Sequence, residues 1–273
     1  MHRIRRLSVA LAVAGALGVA APAVASATTT ITISGATASY PLVQLLAQKY
    51  VKLHPHKVKF RIAQGGSTVG INDVNAGRVT IGDLSREFLP TDPPGLVFYP
   101  IAKYAICVIA NKSNALGNLT TSQLISIFTG KTRTWSGVSG ASASGTIDLI
   151  GRTSVAGVLT SFQTLLLEGK KVASIAAEEA SDGLVKQSVE SDPNGIGFVS
   201  NYQSDKGGVK TVAINGAACS RSTAISGTYP GVARFYEVTK GHATGAALAF
   251  ITWIEKSAAA RKVISTQWIP IEG

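Results

Sequence analysis

Apolar residues in this chain recur at two periods that alternate along its length. Thr30-Ile31-Thr32-Ile33 alternates as a half-buried strand does. Pro41 then opens a stretch with Leu42, Leu45, Leu46, Tyr50 and Leu53 at three-to-four spacing, which predicts a helix capped at Ser39 or Tyr40. Val58, Phe60 and Ile62 predict a second strand, Gly65 and Gly66 a turn, and residues 68–76 a short helix ended by Gly77. The scheme repeats further on. Thr120 or Thr121 caps a helix over 124–128, a strand follows at 147–150, and a helix over 155–168 closes at Gly169. Ser181 caps a helix that runs to Val189, Pro193-Asn194-Gly195 turns the chain, strands follow at 196–199 and 209–214, and a late amphipathic helix covers 243–254. Alternating strands and helices predict an α/β fold. No low-complexity linker divides the chain, so two lobes would be joined by strands, with 100–110 and 209–215 as candidates.

Ahead of these elements, Arg3, Arg5 and Arg6 precede an apolar run over residues 8–21, then Pro22 and the small residues 23–27. The pattern predicts a secretory signal peptide over residues 1–27, cut after Ala27, where Ala25-Ser26-Ala27 fits the small-x-small rule. An uncleaved membrane anchor is the alternative, and the run is short for a span of ~20 residues. No cysteine follows the run, so a lipid-anchored N-terminus is not expected. The expected location is secreted: the periplasm or the cell-wall and extracellular space.

Composition narrows the chemistry. The chain has 273 residues, 45% hydrophobic and 15% charged, a globular balance. Lys and Arg total 26 against 15 Asp and Glu, and without the three leader arginines the balance is 23 − 15 = +8. This surplus favours anionic partners and argues against an acidic metal cage. Two cysteines and four histidines are too few for a zinc ribbon, an iron–sulfur cluster or a haem site, so no metal or cofactor is expected. In an oxidising compartment Cys107, in a strand-like run, and Cys219, in a loop-like one, are candidates for a disulfide; one buried and one exposed thiol is the alternative.

Four loops have the make-up of an oxyanion cradle, in which small residues and hydroxyls lead into a helix start or lie beside an arginine. They are Gly35-Ala36-Thr37-Ala38-Ser39, Gly65-Gly66-Ser67-Thr68, Asp83-Leu84-Ser85-Arg86 and Arg152-Thr153-Ser154-Val155-Ala156-Gly157. Singly, each is also an ordinary cap or turn. In order, and together with Tyr40-Pro41, Gly70-Ile71, Ile81-Gly82, Ile127-Phe128-Thr129-Gly130-Lys131 with Trp135, Asp192-Pro193-Asn194-Gly195-Ile196-Gly197-Phe198, Gly227-Thr228-Tyr229-Pro230 and Val238-Thr239-Lys240-Gly241, they resemble the substrate-binding protein of the bacterial phosphate ABC transporter over nearly the whole mature chain.

The resemblance implies an α/β, two-lobed type II periplasmic-binding-protein-like fold with a ligand cleft between lobes. Lobe 1 would comprise residues 28–104 and 214–273, and lobe 2 residues 105–213. It implies a monomer that binds phosphate or a related oxyanion and docks on an ABC transporter permease. Carried over by position, Thr37 and the Ala38 backbone would bind from the first loop, Ser67 with Thr68 from the second, Ser85 from the third, and Arg152 and the Gly157 N–H from the fourth. Where the family has Ser-Gly-Thr this chain has Ala156-Gly157-Val158, so two hydroxyls are missing. At ~1.5–3 kcal/mol per charge-assisted hydrogen bond, that loss is worth ~3–6 kcal/mol, with Thr153 and Ser154 as candidates to restore part of it. The family position that often holds a proton-accepting aspartate is Ser85 here. Asp83, two residues away, is the candidate acceptor; a carboxylate facing solvent or paired with Arg86 is the alternative.

Enzyme readings find little support. Gly130-Lys131-Thr132 resembles the end of a phosphate-cradling loop, but position 125 is Ile where that loop requires Gly. No Gly-x-Ser-x-Gly elbow is present. Trp135, Trp253 and Trp268 are scattered, without the interleaved basic residues of a single-strand binder, so no nucleic acid is expected. Two other functions remain open: a secreted or wall-bound binding or adhesion module that kept the fold but lost phosphate binding, and a secreted phosphate-ester hydrolase.

Overall fold

The computed structural model of the protein describes residues 28–271, so the expected leader lies outside the described residues. The first elements in order are β1 (Thr29–Gly35), α1 (Tyr40–Leu53), β2 (Val58–Gln64), α2 (Ser67–Asn75), β3 (Ile81–Leu84) and a long β4 (Leu96–Asn111). Then come β5 (Asn118–Leu119), α3 (Thr121–Phe128), β6 (Asp148–Arg152), α4 (Gly157–Leu166), β7 (Ala177–Glu179), α5 (Asp182–Ser191), β8 (Gly195–Ser200), α6 (Asn201–Ser204) and β9 (Val209–Ile214). The chain closes with α7 (Arg221–Ile225), β10 (Val232–Lys240), α8 (Gly245–Lys256) and α9 (Ala258–Ile264).

These strands form one curled mixed sheet in the order β2-β1-β3-β10-β4-β8-β6-β7, with β9 pairing β4 and β5. β4 is its spine. Its residues 96–105 pair antiparallel with β10, and residues 106–110 pair with β8, so one strand runs through both halves of the molecule. At about 3.3 Å per residue, its 16 residues span about 50 Å. The other expected crossing, 209–215, stays in the second half, because β9 pairs only with the end of β4 and with β5. The chain returns through residues 215–231 instead. That segment is fastened to β4 by the Cys107–Cys219 disulfide (Cα–Cα 5.5 Å), by Tyr229 Oη donating to Ile106 O (2.7 Å) and by Ile106 N donating to Gly231 O (2.8 Å).

Helices cover both faces in each half. In the first, Tyr50 of α1 meets Phe60, Phe250 and Trp253 edge-on at 5.2–6.2 Å, while α2 lays Ile71 and Val74 on Leu84, Tyr236 and Val238. α1 buries Leu42, Val43, Leu46, Ala47 and Tyr50 and leaves Leu45 and Leu53 40% and 47% exposed, so its buried stripe is rotated from the one the leucine spacing predicts. In the second half Phe162 stacks on Phe198 at 3.9 Å beside Phe128, and α5 packs Val185 and Val189 on Ile109, Ile150 and Val199. Among the described residues no helix is long and apolar enough to cross a membrane.

Candidate functional site

The four small-residue loops meet where the two halves touch. Gly35 ends β1 at φ 148°, and its carbonyl accepts from Gly65 N (2.9 Å) and Gly66 N (2.8 Å), tying the first loop to the second. A side chain at Gly35 would collide with Asp83 O, which accepts from Ala36 N (2.8 Å), so β3 lies directly beneath the first loop. Ser85 N donates to Ser67 Oγ (3.0 Å), and the two hydroxyls are 3.4 Å apart. The fourth loop comes from the other half. Thr68 N donates to Val155 O (3.1 Å), and Arg152 Nη2 donates to Thr37 Oγ1 (2.9 Å).

Three helices begin at this junction, and the first N–H groups of a helix have no partner inside it. α1, α2 and α4 start at Ser39, Gly66 and Ala156 without a side-chain cap, whereas α3, α5, α7 and α9 are capped by the hydroxyls of Thr120, Ser181, Ser220 and Ser257. α6 and α8 are uncapped too, so it is convergence that marks the first three. Ser39 has the right chemistry for a cap, yet its backbone is helical (φ −85°, ψ −19°) where a capping residue is extended, and its Oγ donates to Asp83 (2.6 Å to either oxygen). Uncapped amides, the positive ends of three helix dipoles and the hydroxyls of Thr37, Ser67 and Ser85 make a surface suited to an oxyanion.

Arg152 is 2% exposed at the end of β6. Its Nε donates to Glu179 O (3.1 Å), Nη2 to Ala180 O (3.1 Å) and Thr37 Oγ1, and Nη1 to Asp182, which is equally buried. Asp182 in turn accepts from Ser200 N (2.8 Å). Asp182 was not singled out from the sequence, because an acid after the cap Ser181 reads as an ordinary partner of the helix dipole. Its pairing leaves little net charge in the guanidinium, so attraction for an anion rests mainly on oriented N–H and O–H groups. Thr37 accepts from Arg152, which leaves its own proton to donate. Two more residues that the sequence reading missed support Ser85. Tyr104 Oη and Ser161 Oγ both donate to Ser85 O (2.8 and 3.0 Å), and burial pushes the Tyr104 phenol far up, which keeps it a donor.

Not every candidate joins the cluster. Ser154 is exposed at the turn before α4 and makes no hydrogen bond to the other three loops. Thr68 contributes its N–H to Val155 rather than a hydroxyl. Ala156 and Val158 are buried in the apolar core, 2% and 1% exposed. Asp83 neither faces solvent nor pairs with Arg86. Its carboxyl accepts from Ser39 Oγ, and Arg86 is held by Asp92 at 2.7 Å through two nitrogens. Opposite Asp83 on β10 lies Glu237, 0% exposed, with no hydrogen-bond partner for either oxygen. Burial pushes Asp83 up to about 7, against the pull of Ser39, and burial together with Asp83 holds Glu237 well above the usual carboxyl range.

That pair predicts a pH dependence of stability. Folded-state values above the unfolded ones mean that the folded chain binds more protons. This contribution is therefore fully present below about pH 4 and is lost as pH rises through about 7. Asp83→Asn flattens that part of the profile: denaturant titrations at about pH 5 and pH 8 should show its stability, relative to wild type, rising by on the order of 2–4 kcal/mol. An unchanged difference contradicts it.

Gly157 is where α4 presses on the other half. A Cβ there would collide with Ser67 Oγ and lie 2.8 Å from Ser85 Oγ. Gly157→Ala should lower oxyanion affinity by about 10- to 100-fold with little change in stability, because the clash falls between the halves and not inside one. Calorimetry beside a melting curve checks this. Wild-type affinity in the variant would show that the junction is not the site. Among the described residues no group of three or more His, Cys, Asp or Glu is placed to hold a metal ion.

Comparison with known proteins agrees with this geometry. The phosphate-binding protein PstS of Bacillus subtilis (strain 168) is 28% identical over 246 residues, covering 88% of this chain and 80% of that protein. A candidate phosphate ABC transporter substrate-binding protein from Clostridium perfringens, solved with bound phosphate, superimposes with a TM-score of 0.83 at 25% identity, covering 89% of this chain and 100% of that one. An ABC-type phosphate transport receptor from Vibrio cholerae does so with a TM-score of 0.74 at 27% identity, again over 89% and 100%. The PBP superfamily domain matches residues 20–257, most of the sequence, and together with a two-lobed α/β fold whose helix starts converge between the halves it shows that the chain belongs to that superfamily.

Proposed function

We propose that the protein is an exported solute-binding protein that captures inorganic phosphate, or a similar tetrahedral oxyanion, between its halves and hands it to an ABC transporter permease. The observation that carries the reading is the meeting of three uncapped helix starts with a buried arginine that reaches from one half to Thr37 of the other. In this reading Thr37, Ala38, Ser67, Ser85, Arg152 and Gly157 form the site, with Thr68 as a backbone brace. The lobes divide at residues 104/105 and, later than the 213/214 expected, within the return segment 215–231, with β4 as the hinge strand, and closure of one lobe on the other sequesters the anion. In this reading the site binds and orients the anion and carries out no reaction on it. The protein acts as a monomer without nucleic acid, and residues 1–27 direct its export.

Calorimetric titration with phosphate and with sulfate tests the proposal. One saturable phosphate site is expected, weakened by the two absent hydroxyls yet tighter than about millimolar. Binding of neither anion rejects it. One observation favours a second reading, a wall-bound module that kept the fold without the ligand: four N–H bonds of Arg152 are already satisfied by the protein, so the guanidinium could serve only to staple the halves. Under that reading neither titration saturates and stability is insensitive to phosphate.

A further inference from the structure

The register places Asp83 and Glu237 directly opposite each other on β3 and β10, where facing side chains are about 5 Å apart. The same row of the sheet holds Gly35 of β1 opposite Asp83 and Tyr99 of β4 opposite Glu237. Phe60, Ile31, Ile33 and Ile81 share that face, which α1 and α8 cover with Leu42, Val43, Leu46, Ala247, Phe250 and Ile251. The only other titratable group in that row is Tyr99, whose hydroxyl accepts from Ala243 N (2.8 Å). The lysines of α1, Lys49 and Lys52, are exposed toward its far end, as are Glu255 and Lys256 of α8. Neither carboxyl has an ion-pair partner among the described residues.

Two buried carboxylates facing each other without a cation cannot both be ionised. A proton on Glu237 removes one of the two facing charges, the cheaper state for a carboxyl whose oxygens have no hydrogen-bond partner. Asp83 also holds the first anion-binding loop twice, by its carbonyl on Ala36 N and by its side chain on Ser39 Oγ. Its hold on Ser39, whose backbone is already helical (φ −85°, ψ −19°), fixes the turn that leads into α1.

We propose that Asp83 and Glu237 are positioning residues of the anion site: a proton-holding carboxyl pair that fixes the turn opening α1 through Ala36 and Ser39 and takes up a proton as the anion binds. The proposal rests on the oxyanion-binding reading above. An anion at the α1 start and a carboxylate one hydrogen bond behind it compete for the same positive helix end, so the bound anion raises the pair's hold on its second proton. Burial already poises Asp83 near neutrality, where this coupling is felt.

The test uses inorganic phosphate and compares variants at one pH at a time, where the ligand's own titration cancels. Calorimetry in two buffers of different ionisation enthalpy counts the protons exchanged. At about pH 7 the wild type should take up about 0.3–0.7 proton more per phosphate than Asp83→Asn. At about pH 8.5 Asp83→Asn should bind about fivefold more tightly than wild type, a gap that closes near pH 6. Asp83→Ala, which removes the hydrogen bond to Ser39 and loosens that turn, should lose about tenfold at both. Should that variant fail to fold, the near-isosteric Asp83→Asn and Glu237→Gln carry the test. A protonated-carboxyl infrared band present in ligand-free wild type should be lost in Glu237→Gln. Equal proton counts and equal affinities in wild type and Asp83→Asn overturn the coupling, and absence of the band overturns the held proton. Wild-type protein that binds no phosphate but shows the band refutes the functional reading, and the coupling with it.

Discussion

Arg152→Lys should lower phosphate affinity at least about a hundredfold, the largest loss expected of any single substitution in the site. The guanidinium holds Glu179 O, Ala180 O, Asp182 and Thr37 Oγ1 at once, at 2% exposure. An ammonium has three donors on one nitrogen and cannot span four acceptors spread round a planar fork. Losing Thr37 frees a hydroxyl that faces the anion, and the loss of one or two charge-assisted bonds is worth ~1.5–3 kcal/mol each. Stability should fall as well, by roughly 3–5 kcal/mol if Asp182 is left unpaired in the interior. Titration calorimetry on protein shown to be folded by circular dichroism separates the two effects. Affinity within threefold of wild type would mean that Arg152 staples the halves and does not serve the anion.

Removing the disulfide should have the largest effect on stability that leaves the site intact. Cys107 and Cys219 are 112 residues apart, and a closed loop of that size restricts the unfolded chain by about 4–5 kcal/mol in the loop-entropy account. The bond also fastens the returning segment to β4 at the height where β4 passes from one half to the other. The Cys107→Ala/Cys219→Ala protein should melt about 10 °C lower and still bind phosphate within about threefold of wild type, because neither sulfur touches the anion loops. A melting temperature unchanged to within about 2 °C contradicts this, and lost binding in folded protein would mean that the return segment shapes the cleft.

What the sequence made legible follows from how locally each feature is encoded. Caps such as Thr120 and Ser181, the helix-opening Pro41 and the Gly-rich turns act within a few residues, and the structure places α1, α2, α3, α5 and β8 close to where they predict. β10 was missed. It is a central strand, but Arg234 and Glu237 interrupt its apolar pattern, and Glu237 is tolerated there only because Asp83 lies across the register with room for a proton. The length of β4 was missed for a related reason: its first half pairs with β10, so its extent depends on a strand far along the chain. Arg152 was legible as a candidate from its loop, but Asp182 was not, since nothing local distinguishes a dipole partner from a buried counterion. Where the Ser154 hydroxyl lies was not legible either, because chemistry predicts donors and not their direction. The turn before α4 leaves that side chain exposed while the neighbouring Gly157 presses against Ser67 and Ser85.

The most direct test of an anion held between the halves is a phosphate titration followed by backbone amide resonances. Ala38, Thr68 and Gly157 lie in three separate loops from both halves, and a single bound oxyanion should shift all three along one saturation curve. Shifts scattered over exposed lysines, or movement of one loop alone, would contradict the account.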